Sequence, residues 1–207
     1  MRWLVPARAR ARLSRFRGDK RGVIGIEFAF FSILIIGVLF SGVEFGRYIL
    51  IGQKADRAMA SVADMVTQTE QLQTADLKDM FVAASLILPA YKYKNQGVLI
   101  VSLVSNTGSG PVIVWQERSA ATWQQASAIG TAGGAATLPA NFTLPAGESS
   151  VVVETYVNYT PWLFELDIGA PNIYRVGWYR PRKSSSLPYT PSGTPVIDTE
   201  DEEDYTF

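Results

Sequence analysis

Gly22-Val-Ile-Gly-Ile-Glu27-Phe28-Ala-Phe-Phe-Ser-Ile-Leu-Ile-Ile-Gly-Val-Leu-Phe-Ser-Gly-Val43 is an apolar run of membrane length with a basic segment before it. Between Val23 and Val43 the one ionisable side chain is Glu27. As a helix rising 1.5 Å per residue, that stretch is about 31 Å long, enough to cross a bilayer core. Helix is the expected conformation, because in hydrocarbon a helix satisfies its own backbone hydrogen bonds. Glu27 is the anomaly. A carboxylate at the centre of a membrane helix costs about 2.5–3.5 kcal/mol, and somewhat less near an end. A plain anchor has no use for that cost, so Glu27 calls for a partner or a recogniser.

Outward from this run, the charge is lopsided. The chain is neutral overall, with 19 basic and 19 acidic residues. Its first 21 residues carry Arg2, Arg8, Arg10, Arg12, Arg15, Arg17, Lys20 and Arg21 against Asp19 alone. Beyond residue 22 there are 11 basic and 18 acidic residues, a net charge of −7, and acids crowd into Glu200-Asp-Glu-Glu-Asp204. A basic arm can bind nucleic acid. Beside a membrane span the positive-inside rule is the simpler account, and no nucleic-acid partner is expected. It puts the leader in the cytoplasm and the rest of the chain outside. An ordinary secretory signal has a shorter apolar core followed by a small-residue cleavage site. Here the nearest such pattern, Ala58-Met-Ala60, lies well past the run, so a signal cut on the outer side is a weaker reading than an uncleaved anchor.

The residues Gly22-Val-Ile-Gly-Ile-Glu27-Phe28 resemble a type IV prepilin processing site: a basic leader, a Gly before the cut, five residues ending in Glu, then an aromatic and an apolar helix. Glu27-Phe28-Ala29-Phe30 followed by Gly42-Val43-Glu44-Phe45-Gly46-Arg47 resembles the TadE/TadG-like minor pilins, or pseudopilins, of tight-adherence (Flp) pilus systems. Ser32-Ile33 stands where many relatives carry a Pro, and Tyr179-Arg180-Pro181-Arg182 is a second, less specific echo. The resemblance covers residues 15–60. It implies cleavage between Gly22 and Val23 by a prepilin peptidase, with Glu27 and Phe28 completing the processing site. It implies other pilins, Tad platform proteins and inner-membrane lipid as partners, and a role in surface adhesion. It implies a bacterial inner-membrane protein with a periplasmic C-terminal domain that can enter an extracellular pilus. In the pilin picture Glu27 pairs with the new amine of a neighbouring subunit. Glu44 and Arg47, one helical turn apart, are subunit-interface candidates or simply an interfacial ion pair.

Composition removes several chemistries. Without Cys there is no disulfide, Cys-ligated zinc or lipoprotein anchor. Without His the commonest general base and metal ligand is missing. No acid pair, nucleophile–base set or metal-ligand cluster stands out, so no catalytic residue, cofactor or metal is expected, and the chain reads as a non-enzyme. Gly130-Thr-Ala-Gly-Gly134 lacks the lysine and the strand-to-helix setting of a phosphate loop and reads as a flexible loop. The sequons at Asn141 and Asn158 carry no weight in a bacterial protein.

The rest of the chain predicts an α+β fold. Ile51, Ala55, Ala58, Met59, Val62, Met65 and Val66 form a stripe at helical period that carries the long helix into a domain core. Thr74 is the expected cap of a second helix. That helix has Leu77, Met80, Phe81, Ala84 and Leu88 on one face and ends at Pro89. Residues 98–104, 112–118, 151–159 and 173–179 read as about four antiparallel strands in two hairpin-like pairs. In the third, Val151, Val153, Thr155, Val157 and Tyr159 share one face while Glu154 and Asn158 take the other. Trp115, Trp123, Trp162 and Trp178 are expected in the core or at an interface. The expected plan is a leader over 1–22, a transmembrane helix over 23–50, a pilin-like domain over 51–180 and a disordered acidic tail over 181–207.

Overall fold

A computed structural model describes residues 21–93, 95–120, 123–161, 172–184, 186–192 and 194–197. The leader before Arg21, Trp162 and the acidic block at 200–204 therefore lie outside the described residues. The fold is α+β, with a long apolar N-terminal helix, a second helix and an antiparallel four-stranded sheet.

Helix α1 is Arg21–Thr67, 47 residues without a break. The chain divides at Phe45/Gly46 into two compact units. In the first, no residue from Val23 to Phe45 is buried, and the side chains are almost wholly apolar. The most apolar window has a mean hydropathy of 2.6, which makes this a candidate membrane span. Its two hydroxyls turn inward to the helix's own backbone. Ser32 Oγ donates to the Ala29 carbonyl at 2.9 Å and Ser41 Oγ to the Gly37 carbonyl at 2.8 Å. Neither hydroxyl then needs water.

In the second unit, α1 lays its apolar stripe on the sheet. Ile51, Ala55, Ala58, Met59, Val62, Ala63 and Val66 are buried, while Lys54, Asp56, Arg57 and Asp64 are exposed. This unit begins at Gly46, and Tyr48 packs edge-on against Tyr159 at 5.3 Å. Strand β1 (Leu72–Gln73) leads into α2 (Thr74–Ile87). The cap is Gln73, not Thr74. The Asp76 carboxylate accepts the Gln73 N–H at 3.0 Å, and Thr74 Oγ1 is free to receive the Ser192 N–H at 2.7 Å. Leu77, Phe81, Ala84 and Leu88 are buried and Met80 is partly so, as the spacing predicts; Pro89 opens a 3₁₀ turn, Pro89–Lys92.

Strands β2 (Gly97–Asn106), β3 (Pro111–Arg118), β4 (Ser149–Val157) and β5 (Ile173–Tyr179) form an antiparallel sheet in the order β3-β2-β4-β5. The two hairpin-like pairs are thus joined through β2 and β4. These two central strands are buried on both faces. One face, with Leu99, Val101, Leu103, Val151, Val153 and Val157, meets the helices. The other is covered by Ala120 and by residues 123–148, which contribute Ile129 and Leu144. The flexible-loop expectation for Gly130–Gly134 is therefore corrected. The Ile113 N–H donates to the Gly134 carbonyl at 3.0 Å, and the Gly133 N–H to the Ile113 carbonyl at 2.8 Å. Small residues allow the backbone to run close along the edge of β3.

The disordered-tail expectation also fails from 181 to 197. Strand β6 (Tyr189–Thr190) pairs in parallel with β1, Tyr189 packs on Trp115 at 5.1 Å, and Leu187 and Ile197 are in the core. Two aliphatic anchors suffice to seat a Pro-rich segment that composition alone marks as unfolded.

Candidate functional sites

The residues expected to form a processing site stand on the first turns of α1. Gly22 opens the apolar run, and a Cβ placed there meets no atom within 4 Å. Val23 and Glu27 are four residues apart, hence on one helix face. Val23, Glu27 and Phe28 are all exposed, Phe28 at 74%. The arrangement offers a backbone without a side chain at Gly22, and one carboxylate a single turn beyond it. Glu44 and Arg47 are also a turn apart on α1 and are both half-buried.

The sequence reading put Glu154 on the strand face opposite Val151, Val153 and Val157 and assigned it no role. The structure makes it the centre of a hydrogen-bonded cluster. Glu154 is fully buried in mid-β4. Its Oε2 accepts a short hydrogen bond from Ser127 Oγ. Its Oε1 accepts from the Ala128 N–H at 2.9 Å, Tyr174 Oη at 3.1 Å and Tyr156 Oη at 3.3 Å. Two strands away on the same face, Arg118 Nη1 reaches Gln124 Oε1 and the Gln125 carbonyl, each at 3.4 Å. Burying an unpaired charge is expensive unless donors replace water, and these four donors do so. Burial raises both tyrosine hydroxyls above their ordinary value, and the Glu154 charge raises them further; Tyr156 is pushed up to about 12. The work of the carboxylate is to hold residues 127–128 against the sheet. The signal for it was one acid inside an otherwise apolar strand, with tyrosines two residues on and in the neighbouring strand.

On the helix face a second buried pair, Tyr91 Oη and Thr155 Oγ1 at 2.7 Å, ties the 3₁₀ turn to β4. Burial raises the Tyr91 hydroxyl as well. Among the described residues no cluster of acidic side chains is placed to hold a metal ion. No family model matches the chain, and neither the curated proteins nor the solved structures contain a match.

Proposed function

We propose that this chain is a minor pilin or pseudopilin, a structural subunit for assembly of a tight-adherence type IV pilus. The observation that carries the reading is the first half of α1: an unburied apolar helix of membrane length whose opening turns hold Gly22, Val23, Glu27 and Phe28. The basic leader orients the span with its N-terminus cytoplasmic and the α+β domain periplasmic. A prepilin peptidase removes the leader after Gly22. In the assembled bundle Glu27 then neutralises the amine of Val23 on a neighbouring subunit, each charge making the other tolerable in low dielectric. The partners are other pilins, the assembly platform and inner-membrane lipid. The role is structural and serves surface adhesion.

N-terminal sequencing or intact-mass measurement of the membrane-extracted protein tests the reading. The expected mature chain begins at Val23. Retention of Met1 in a host with an active prepilin peptidase overturns the pilin reading and leaves a single-pass anchored scaffold or binding domain.

A further inference from the structure

Where β5 runs out, the chain continues as Tyr179-Arg180-Pro181-Arg182-Lys183. Three of the eleven basic residues beyond residue 22 fall in these five positions, the densest positive cluster in a segment of net charge −7. The backbone here is fixed. Tyr179 folds back over Gly177, where a Cβ would stand only 2.5 Å from the ring, and the Arg182 N–H donates to the Thr67 carbonyl at 2.9 Å. Two clefts flank the segment and share Tyr179 and Arg180. One, of about 620 Å³, is also bounded by Ala60 and Asp64; the other, of about 370 Å³, by Phe142 and Glu148. Arg182 pairs with Asp64 at 3.0 Å and Arg180 with Glu148, yet the two arginine side chains remain 65% and 72% exposed. Exposed pairs of this kind are worth little, so an incoming carboxylate can exchange for them at small cost.

We infer that this double cleft is the docking site for the acidic segment 198–204 of a second copy of the chain. The segment Asp198-Thr-Glu-Asp-Glu-Glu-Asp204 carries six carboxylates in seven residues and begins directly after the last described residue, Ile197. A block of like charge is a common form of interaction segment. Its own domain is a poor host. The Ile197 N–H is held by the Ser119 carbonyl beside β3, at one edge of the sheet, whereas Arg180 follows β5 at the other. Three strand spacings and about four residues of strand length separate Ser119 from Tyr179, on the order of 20 Å in a straight line through packed protein. Seven taut residues cover at most roughly 25 Å, so a path around the domain is too long. A neighbouring copy has no such restriction. The contact joins different surfaces of the two copies, a heterologous arrangement that can propagate without closing. The inference stands whether or not the leader is removed.

The absence of cysteine makes the test direct. Full-length chains carrying Ala60→Cys or Thr199→Cys are mixed in detergent and treated with a bis-maleimide. A crosslinked heterodimer is expected, well above that formed with Leu86→Cys on α2, and lost in about 1 M salt, where the Debye length is about 3 Å. Glu202→Lys with Glu203→Lys, which touches no described residue, should abolish it, and adding Arg180→Glu with Arg182→Glu to the Ala60→Cys chain should restore it. Three results overturn the inference: a heterodimer yield no higher than the Leu86→Cys control, indifference to tail charge, or linkage within one chain when both cysteines are on it. Binding of the 180–183 cluster to anionic lipid vesicles in preference to the tail also overturns it.

Discussion

Tyr174 on β5 donates to Oε1 of Glu154 on β4 at 3.1 Å, joining two neighbouring strands through a carboxylate buried beneath residues 127–128. Removing the carboxylate takes the acceptor from the hydroxyls of Ser127, Tyr156 and Tyr174, of which Tyr156 is buried and the other two partly so, while the Ala128 N–H keeps the Tyr156 hydroxyl at 3.1 Å. Each such group costs about 1–3 kcal/mol when nothing replaces the bond. Glu154→Ala is therefore expected to destabilise the domain by about 1–3 kcal/mol in chemical unfolding. Residues 127–136 should exchange their amide hydrogens faster even where the fold survives. Unchanged exchange in that stretch would mean that Ile129, Leu144 and the backbone bonds to Ile113 hold the covering segment without Glu154.

The tyrosines set an alkaline limit. Burial raises the hydroxyls of Tyr91, Tyr156 and Tyr174 in the folded chain, Tyr156 to about 12, against about 10 when unfolded. Between those values the folded chain holds protons that the unfolded chain has lost, so the stability of the folded state falls as pH rises. Stability should be insensitive to these groups below about pH 10 and decline steadily above it. Tyr156→Phe should make the decline shallower. Ultraviolet absorbance of tyrosinate, followed beside circular dichroism, reads both.

The segment after Lys183 gives the third prediction. Leu187 is fully buried, lies at a positive φ of 33°, and presents its carbonyl to Trp115 Nε1 at 3.3 Å. Truncation after Lys183 removes Leu187, Tyr189 and Ile197 from the core and should cost about 3–5 kcal/mol. Leu187→Ala alone should cost about 2–5 kcal/mol. A truncated chain as stable as the full one would return this stretch to the class of dispensable tails.

These positions also mark what the sequence made readable. A helical period is produced by burial on one face, so the stripe from Ile51 to Val66 and the face of α2 could be read from spacing, whereas β2 and β4, buried on both faces, showed as apolar runs bounded by turn residues. Residues 127–136 and 187–197 are packed by different means. They use small side chains, backbone bonds to Ile113 and Leu72, and single anchors such as Ile129 and Leu187, none of which leaves a period. The proposed processing site rests on another kind of signal, the order of Gly22, Glu27 and Phe28 along the chain. The Glu154 cluster was not, because its donors come from β4, β5 and residues 127–128, and only the sheet order brings them together.

Gly22 and Glu27 carry the last prediction. A peptidase that admits only a residue without a side chain before the cut should fail on Gly22→Ala. A methyl group at Gly22 meets nothing within 4 Å, and the same holds at Gly25. Neither substitution therefore disturbs packing, and alanine is the better helix former at both sites, by about 1 kcal/mol. Gly22→Ala should insert and fold normally yet keep its leader, while Gly25→Ala should be cut as usual; mass measurement of the extracted proteins distinguishes them. If both variants are processed, the cut does not depend on Gly22; if both retain Met1, the effect is not specific to Gly22. Glu27→Gln then separates two roles for the carboxylate. As a recognition element its loss slows cleavage. As the partner of a neighbour's Val23 amine its loss leaves cleavage intact and stops assembly, because an amine is left in hydrocarbon without its counter-charge. Normal cleavage with normal assembly would show that Glu27 does neither.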